Sequence, residues 1–245
     1  MSHEPLISEF VKRMRLAGGD NLVSIVLYGS GAEGEFHHEY SDLNLLCVLR
    51  DASFVPLDRL ADVADWWRKK KHRAPLILTA QDITDSADVF SIEFLDMKQR
   101  YRVLDGEDVL RNLDIPMELH RRQLEYELRE KLFLLRQHIV IATRNEKQLW
   151  EIMLQSLSSI TTLIRHVLVE MGESGRKHSR DAVQELASRL NFDGSAFVQL
   201  MDVRARKIER KQLGAGDLAQ RYLSAIEKIT DAVDKMLSLP RQSNQ

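Results

Sequence analysis

The chain has 245 residues, of which 44% are hydrophobic and 29% charged, and its formal net charge is −2. This composition is typical of a globular protein and argues against intrinsic disorder, and the near-neutral charge argues against a nucleic-acid partner. The longest unbroken apolar runs fall far short of the roughly 20 residues of a membrane-spanning helix, and no signal pattern opens the sequence. We therefore expect a cytoplasmic protein with no membrane partner.

The first 116 residues mix helical and extended patterns. Apolar spacing predicts helices over 6–16 and 57–70 and strands over 22–28, 43–49 and 75–80. The segment 88–97 fits either a strand or a helix. The nearly continuous apolarity of 43–49 predicts a strand that is buried on both faces, with Cys47 inside.

The pattern changes after Pro116, where long Glu-, Arg- and Leu-rich stretches repeat apolar residues at helical spacing. Residues 1–116 carry 14 basic and 20 acidic side chains, whereas residues 117–245 carry 21 and 17. The sequence therefore predicts an α+β protein, with a helix-and-strand domain over 1–116 and an all-helical bundle over 117–240. An apolar bundle face and the adjacent Trp66 and Trp67 suggest a homodimer.

Polar residues flank two neighbouring predicted strands. Gly29 and Ser30 follow the first strand, where a glycine lets the backbone approach an anion closely and the serine offers a hydroxyl. Asp42 stands at the start of the second strand, and position 44 projects to the same face because side chains alternate along a strand. A site that moves phosphoryl groups needs such donors, together with carboxylates that hold Mg²⁺.

Gly29 and Ser30, followed by Asp42 at the start of a buried strand, resemble the Gly-Ser and Asp-x-acid signature of the polymerase-beta-like nucleotidyltransferases. The segment "YSDLNLLCVL" looks especially like the corresponding strand of the kanamycin and other antibiotic nucleotidyltransferases. The resemblance implies a small mixed-sheet catalytic domain joined to a C-terminal helical bundle. It also implies that Gly29 and Ser30 contact a nucleoside triphosphate and that Asp42 is a metal ligand.

The sequence departs from the family pattern at three places. Asn44 stands where the second metal-binding acid is expected, and Glu33 occupies the turn in which the family often carries an arginine. The resemblance also implies a third acid on a later strand, but the third predicted strand contains no acid before Asp82, so Glu93 and Asp96 are the candidates for it. Losing one charge from a two-carboxylate pair weakens metal binding.

Two hypotheses follow. In the first, the chain binds ATP or another nucleoside triphosphate with Mg²⁺ and transfers a nucleoside monophosphate to a hydroxyl on a small molecule or protein. Asp42 and Asn44 hold the metal, and Glu93 or Asp96 acts as the base. In the second, the chain is a non-catalytic binding or regulatory module that has lost its metal centre.

Overall fold

The structure, a computed structural model, describes residues 3–32, 43–173 and 177–237, and of Ser30 and Leu237 it describes only the backbone. The chain divides into two compact units, Met1–Pro116 and Met117–Gln245. The first contains α1 (Glu4–Gly18), β1 (Leu22–Tyr28), β2 (Asn44–Leu49), α2 (Phe54–Arg59), α3 (Ala61–Lys69), β3 (Leu76–Thr79), α4 (Ala80–Ser86), α5 (Ser91–Gln99) and β4 (Tyr101–Gly106). The second contains α6 (His120–Ala142), α7 (Glu146–Glu170), α8 (Ser179–Leu190), α9 (Ser195–Arg204) and α10 (Ala215–Leu237). The predicted α+β class is confirmed.

The described strands form a mixed four-stranded sheet in the order β3-β2-β1-β4. The two central strands, β1 and β2, are antiparallel and pair Ile25 with Cys47 and Tyr28 with Asn44. On the outer sides, β4 runs antiparallel to β1 and β3 runs parallel to β2. This pairing brings the end of β1 and the start of β2 to the same edge of the sheet.

Both faces of the sheet are covered, as the apolar run of β2 predicts. On one face, Leu45 and Cys47 pack with Phe10 of α1 and Trp67 of α3. On the other face, Leu46 and Val48 share a cluster with residues of α4 and α5: Ile83, Phe94 and Met97. Because burial disfavours the thiolate, it raises the pKa of Cys47 to about 12.

Several elements differ from the sequence-based prediction. The ambiguous segment around Glu93 and Asp96 is the helix α5, and β4 was not predicted. The single helix expected over 57–70 is two helices that meet at Leu60. The sequence also predicts a helix over 196–211, whereas α9 ends at Arg204.

Trp66 and Trp67 both contact residues of α1 within the first unit. The Trp67 ring is fully buried, and its centroid lies 4.8 Å from that of Phe10. The guanidinium of Arg13 lies 4.5 Å above the Trp66 ring, at cation–π distance. Trp66 and Trp67 therefore hold α1 and α3 together.

The core of the bundle is built around α7, whose buried side chains face more than one neighbouring helix. Among the described helices, α7 is the one that is long and apolar enough to cross a membrane, and 61% of its most apolar stretch is buried inside the protein.

A hydrogen-bonded polar cluster, which we call the histidine–glutamate cluster, lies within the bundle. Its members are His120 and Arg121 at the start of α6 and His166 and Glu170 at the end of α7. His120 Nδ1 lies 2.6 Å from Glu170 Oε1, and His120 Nε2 lies 2.9 Å from His166 Nδ1. Arg121 donates from Nε to Glu170 Oε2 at 2.9 Å and from Nη1 to the carbonyl of Met236 at 2.8 Å. These bonds tie three helices, α6, α7 and α10, together.

Candidate functional site

The end of β1 is shaped by Gly29. This residue is buried and has φ of +72°, a left-handed backbone conformation that favours glycine. The chain then forms a short 3₁₀ turn over Gly29–Ala32. Because the N–H of Gly29 donates to the carbonyl of Arg100 at 2.9 Å, that N–H is not available to a ligand. Any backbone donors for an anion must come from later residues of the turn.

Asn44 lies beside this turn. It is the first residue of β2 and faces Tyr28 across the antiparallel pair. A Cβ on Gly29 would lie only 3.3 Å from the side-chain nitrogen of Asn44, so the neutral amide packs against the glycine. The structure thus brings Gly29 and Asn44 together, as their positions at neighbouring strand ends predict.

The pKa of Tyr28 is affected by two charged side chains near this end of the sheet. Burial raises the pKa of Tyr28, the positive charge of Arg73 lowers it, and the negative charge of Glu93 raises it further. Arg73 and Glu93 therefore both lie within electrostatic range of the residue that precedes Gly29. Glu93 is half-buried in the first turn of α5.

The acid that follows the third strand has a structural role. Asp82 accepts hydrogen bonds from the backbone N–H of Thr79 at 2.8 Å and from its hydroxyl at 2.7 Å, while its own N–H donates to that hydroxyl. This is a capping box at the start of α4, and these bonds lower the pKa of Asp82. Asp82 thus caps the N-terminus of α4, directly after β3.

The structure describes the remaining predicted site residues only in part. Asp42 and Glu33 lie outside the described residues, and the position of the Ser30 side chain is likewise not described. Asp96 follows Glu93 by one helical turn on α5, so the two acids lie on a helix and not on a strand as the resemblance implies for the third acid. Over residues 3–32, 43–173 and 177–237, no group of three or more His, Cys, Asp or Glu is arranged to hold a metal ion.

Two residues of this region were not among the sequence-based candidates. Arg73 ends the basic run 68–73, which the sequence accounts for as the polar end of a predicted helix. Arg100 contributes through its backbone carbonyl, which accepts from the N–H of Gly29. A carbonyl contact carries no side-chain signature. Arg73 had a sequence signal, its charge, but no pattern that linked it to Tyr28.

The chain is similar to a solved structure, that of spectinomycin adenyltransferase AAD(9) from Enterococcus faecialis with ATP and spectinomycin. The TM-score is 0.58 at 16% sequence identity, and the similarity covers 94% of this chain and 99% of that one. This likeness confirms the predicted nucleotidyltransferase fold with its helical second half. The sequence matches no protein-family model, and no curated protein matches it.

Proposed function

We propose that this chain binds a nucleoside triphosphate at the ends of β1 and β2 without the two-carboxylate metal centre on which nucleotidyl transfer depends. The observation that carries the proposal is Asn44. It stands at the position of the expected second acid, and its neutral amide packs beside Gly29. The fold is that of a nucleotidyltransferase, but a charge that the chemistry requires is missing.

The available donors do not fit a two-metal magnesium site. Mg²⁺ is held in such sites by one or two protein carboxylates together with substrate phosphates. Here the sequence supplies Asp42 and the amide of Asn44, and Asp82, the acid after β3, caps a helix. We assign no transfer step to this site.

Positive charge and backbone geometry support anion binding at this edge. Arg73 brings a guanidinium within electrostatic range of Tyr28, and guanidinium groups match phosphate oxygens in geometry and charge. The turn that begins at Gly29 supplies successive backbone N–H groups, which can cradle an anion. The phosphates of the nucleotide would lie against the turn, with Ser30 beside them.

Calorimetric titration of ATP into the native chain and into Asn44→Asp, each with Mg²⁺ and with EDTA, tests this proposal. We expect the native affinity to change less than about threefold between the two conditions, since a single carboxylate gains little from the metal. We expect Asn44→Asp to bind about tenfold or more tightly with Mg²⁺ than with EDTA, since the second carboxylate is restored. Asn112→Asp, an exposed site in the same unit, is the matched control for added charge.

Two results would overturn the proposal. If the native chain binds ATP in neither condition, the nucleotide site is wrong. If the native chain needs Mg²⁺ and Asp42→Ala abolishes binding, the metal centre is intact and the non-catalytic assignment is wrong.

One observation favours a second function, which is transfer of a nucleoside monophosphate to a hydroxyl on a small molecule or protein. The charge of Glu93 acts on Tyr28, so a carboxylate lies near the proposed phosphate site and has the chemistry of a general base. In this alternative Asp42 and Asn44 would be the metal ligands. Incubation with Mg²⁺, ATP labelled at the α-phosphate and spectinomycin tests it: a labelled product that Glu93→Gln abolishes would identify a transferase.

The cytoplasmic location and the homodimer suggested by the sequence stay predictions.

A further inference from the structure

The segment between α3 and β3 reaches the edge of the sheet that carries the proposed nucleotide site. We call this segment, residues 70–75, the 70–75 loop. The strand β3 runs parallel to β2 and pairs Leu76 with Leu46, so both strands begin at the same edge. Asn44, two residues before Leu46, pairs with Tyr28 at the end of β1. The loop therefore enters β3 beside the strand ends that form the candidate site.

The 70–75 loop begins with a sharp turn. Lys71 has φ of +65°, a left-handed conformation that few residues other than glycine adopt. Its N–H donates to the carbonyl of Arg68 at 2.8 Å, and the N–H of Lys70 donates to the carbonyl of Trp67 at 3.0 Å. These bonds end α3 and turn the chain away from the helix axis. The direction of the loop is thus set before His72 is reached.

His72 packs against the core of the first unit through Trp67. The two rings are stacked, with centroids 4.6 Å apart and an angle of 27° between their planes. Trp67 is fully buried, and its ring centroid also lies 4.8 Å from that of Phe10 on α1. Because the Trp67 ring cannot shift without disturbing a closely packed core, the stacked His72 ring restrains the middle of the loop.

Arg73 follows the stacked histidine directly. Its Cα lies about 3.8 Å from that of His72, so whatever restrains His72 also restrains the base of the Arg73 side chain. On the other side, Pro75 restricts the backbone of Ala74 to extended conformations. The Arg73 side chain itself is exposed. The loop thus presents an exposed guanidinium on a restrained backbone.

Arg73 differs from the basic residues that precede the loop. Arg68 and Lys69 lie 2.6 and 2.7 Å from the carboxylate of Asp65, one helical turn earlier on α3. Their charges are therefore held on the helix. Burial raises the pKa of Tyr28, and the charge that lowers it is that of Arg73. Of these three cations, Arg73 is the one that acts on the residue at the end of β1.

We infer that His72 is a positioning residue of the nucleotide site, whose stack on Trp67 holds Arg73 where it can bind the phosphates. The assignment rests on the proposed function, in which Arg73 is a phosphate-binding cation. A guanidinium on a restrained backbone loses less conformational entropy on binding than one on a mobile loop. The stack therefore strengthens nucleotide binding, although His72 does not itself touch the ligand.

NMR titration of the tyrosine ring carbons, without nucleotide, tests whether His72 positions Arg73. His72→Ala should raise the pKa of the Tyr28 phenol, in the same direction as Arg73→Gln, because the positive charge is no longer held nearby. His72→Phe keeps a planar ring that can stack on Trp67 and should leave this pKa unchanged. Arg59→Gln, which removes an exposed charge at the other end of α3, is the matched control and should also leave it unchanged.

Calorimetric titration of ATP in EDTA tests the effect on binding. We expect about tenfold weaker binding for Arg73→Gln, since a charge-assisted hydrogen bond is lost, and about threefold to fivefold weaker binding for His72→Ala. His72→Phe should bind ATP as the native chain does. In the Arg73→Gln background, His72→Ala should have no further effect, because the stack acts through Arg73.

The inference is wrong if His72→Ala does not raise the pKa of Tyr28, or if His72→Phe raises it as much. It is also wrong if His72→Ala weakens ATP binding equally with and without Arg73, since His72 then does not act through that residue. If His72→Ala does not fold by circular dichroism, His72→Gln replaces it, because the amide has no ring to stack. A native chain that binds no ATP overturns the proposed function and the nucleotide part of this inference, whereas the tyrosine titration alone decides whether His72 positions Arg73.

Discussion

The two units of this protein treat their polar side chains differently. In the first unit, Asn44 and Glu93 lie half-buried where strands and helices begin, at the edge of an apolar sheet. In the second unit, His120 and Glu170 lie inside the bundle and bind each other. Buried polar groups that are paired support one arrangement of the core, whereas half-buried polar groups remain partly exposed to solvent. The comparison separates polar residues that hold the fold from those that are candidates for binding.

The largest effect is expected from breaking the histidine–glutamate cluster. Glu170→Ala removes the carboxylate that accepts from His120 and Arg121 and leaves both donors in the protein interior. We expect a loss of about 3 kcal/mol in the free energy of unfolding, as for other buried pairs that lose one partner. Chemical denaturation measures it. Glu227→Ala, which removes the exposed partner of Arg136, is the control and should cost less than about 1 kcal/mol.

The Glu170 carboxylate should also affect how stability depends on pH. Burial raises the pKa of Glu170, but hydrogen bonds from His120 and Arg121 outweigh it, so the pKa lies below its ordinary value of 4.5. The carboxylate therefore contributes stability above the unfolded-state pKa, and this contribution is lost as the pH falls through the folded-state pKa. Glu170→Gln should show a shallower loss of stability on acidification. An unchanged pH profile would contradict the cluster's role.

An intermediate effect is expected at the turn of the candidate site. Gly29→Ala forces a side chain into the left-handed region and against the Asn44 amide, which should cost about 1–2 kcal/mol of stability. Gly172→Ala separates the two causes, because Gly172 has φ of +88° but no atom within 4 Å of the added Cβ. If both variants lose the same stability, the contact with Asn44 contributes nothing.

The smallest effect concerns the charges around Tyr28. Arg73→Gln should raise the pKa of the Tyr28 phenol, since it removes the positive charge that lowers it, and Glu93→Gln should lower it. NMR titration of the tyrosine ring carbons measures both shifts. Shifts in the same direction, or none, would remove Arg73 and Glu93 from the neighbourhood of the site.

The sequence predicts those parts of the fold in which the apolar residues follow a single strand or helix pattern. The strands β1 and β2 follow apolar runs and were found within one residue of their expected bounds. The bundle helices follow helical stripes of apolar residues, except that α9 ends earlier than its basic sequence suggests. The edge strand β4 was missed because "YRVLDG" has charged residues and lies half-exposed at the side of the sheet. The helix α5 stayed ambiguous because its buried residues, such as Ile92, Phe94 and Met97, follow no clean helical period.

The site was predictable only in part for a different reason. Gly29 and Asn44 are brought together by the antiparallel pairing of adjacent strands, which the sequence pattern indicates. The contributions of Arg73 and of the Arg100 carbonyl depend on the tertiary fold, in which residues tens of positions apart become neighbours. The contact between His120 and Glu170, 50 positions apart, has no local sequence signature either.

Because the Cys47 thiol is buried in the sheet, its chemical modification can be used to measure opening of the sheet. The thiol sits in the middle of β2 with strands on both sides and packed side chains above and below, where an alkylating reagent cannot enter. Its rate of modification should therefore depend on the fraction of molecules in which the sheet is open. Because the sequence contains no other cysteine, pulse labelling with a maleimide would follow the first unit alone. Labelling at increasing denaturant, compared with helix loss measured by circular dichroism, would show whether the two units unfold together or in sequence.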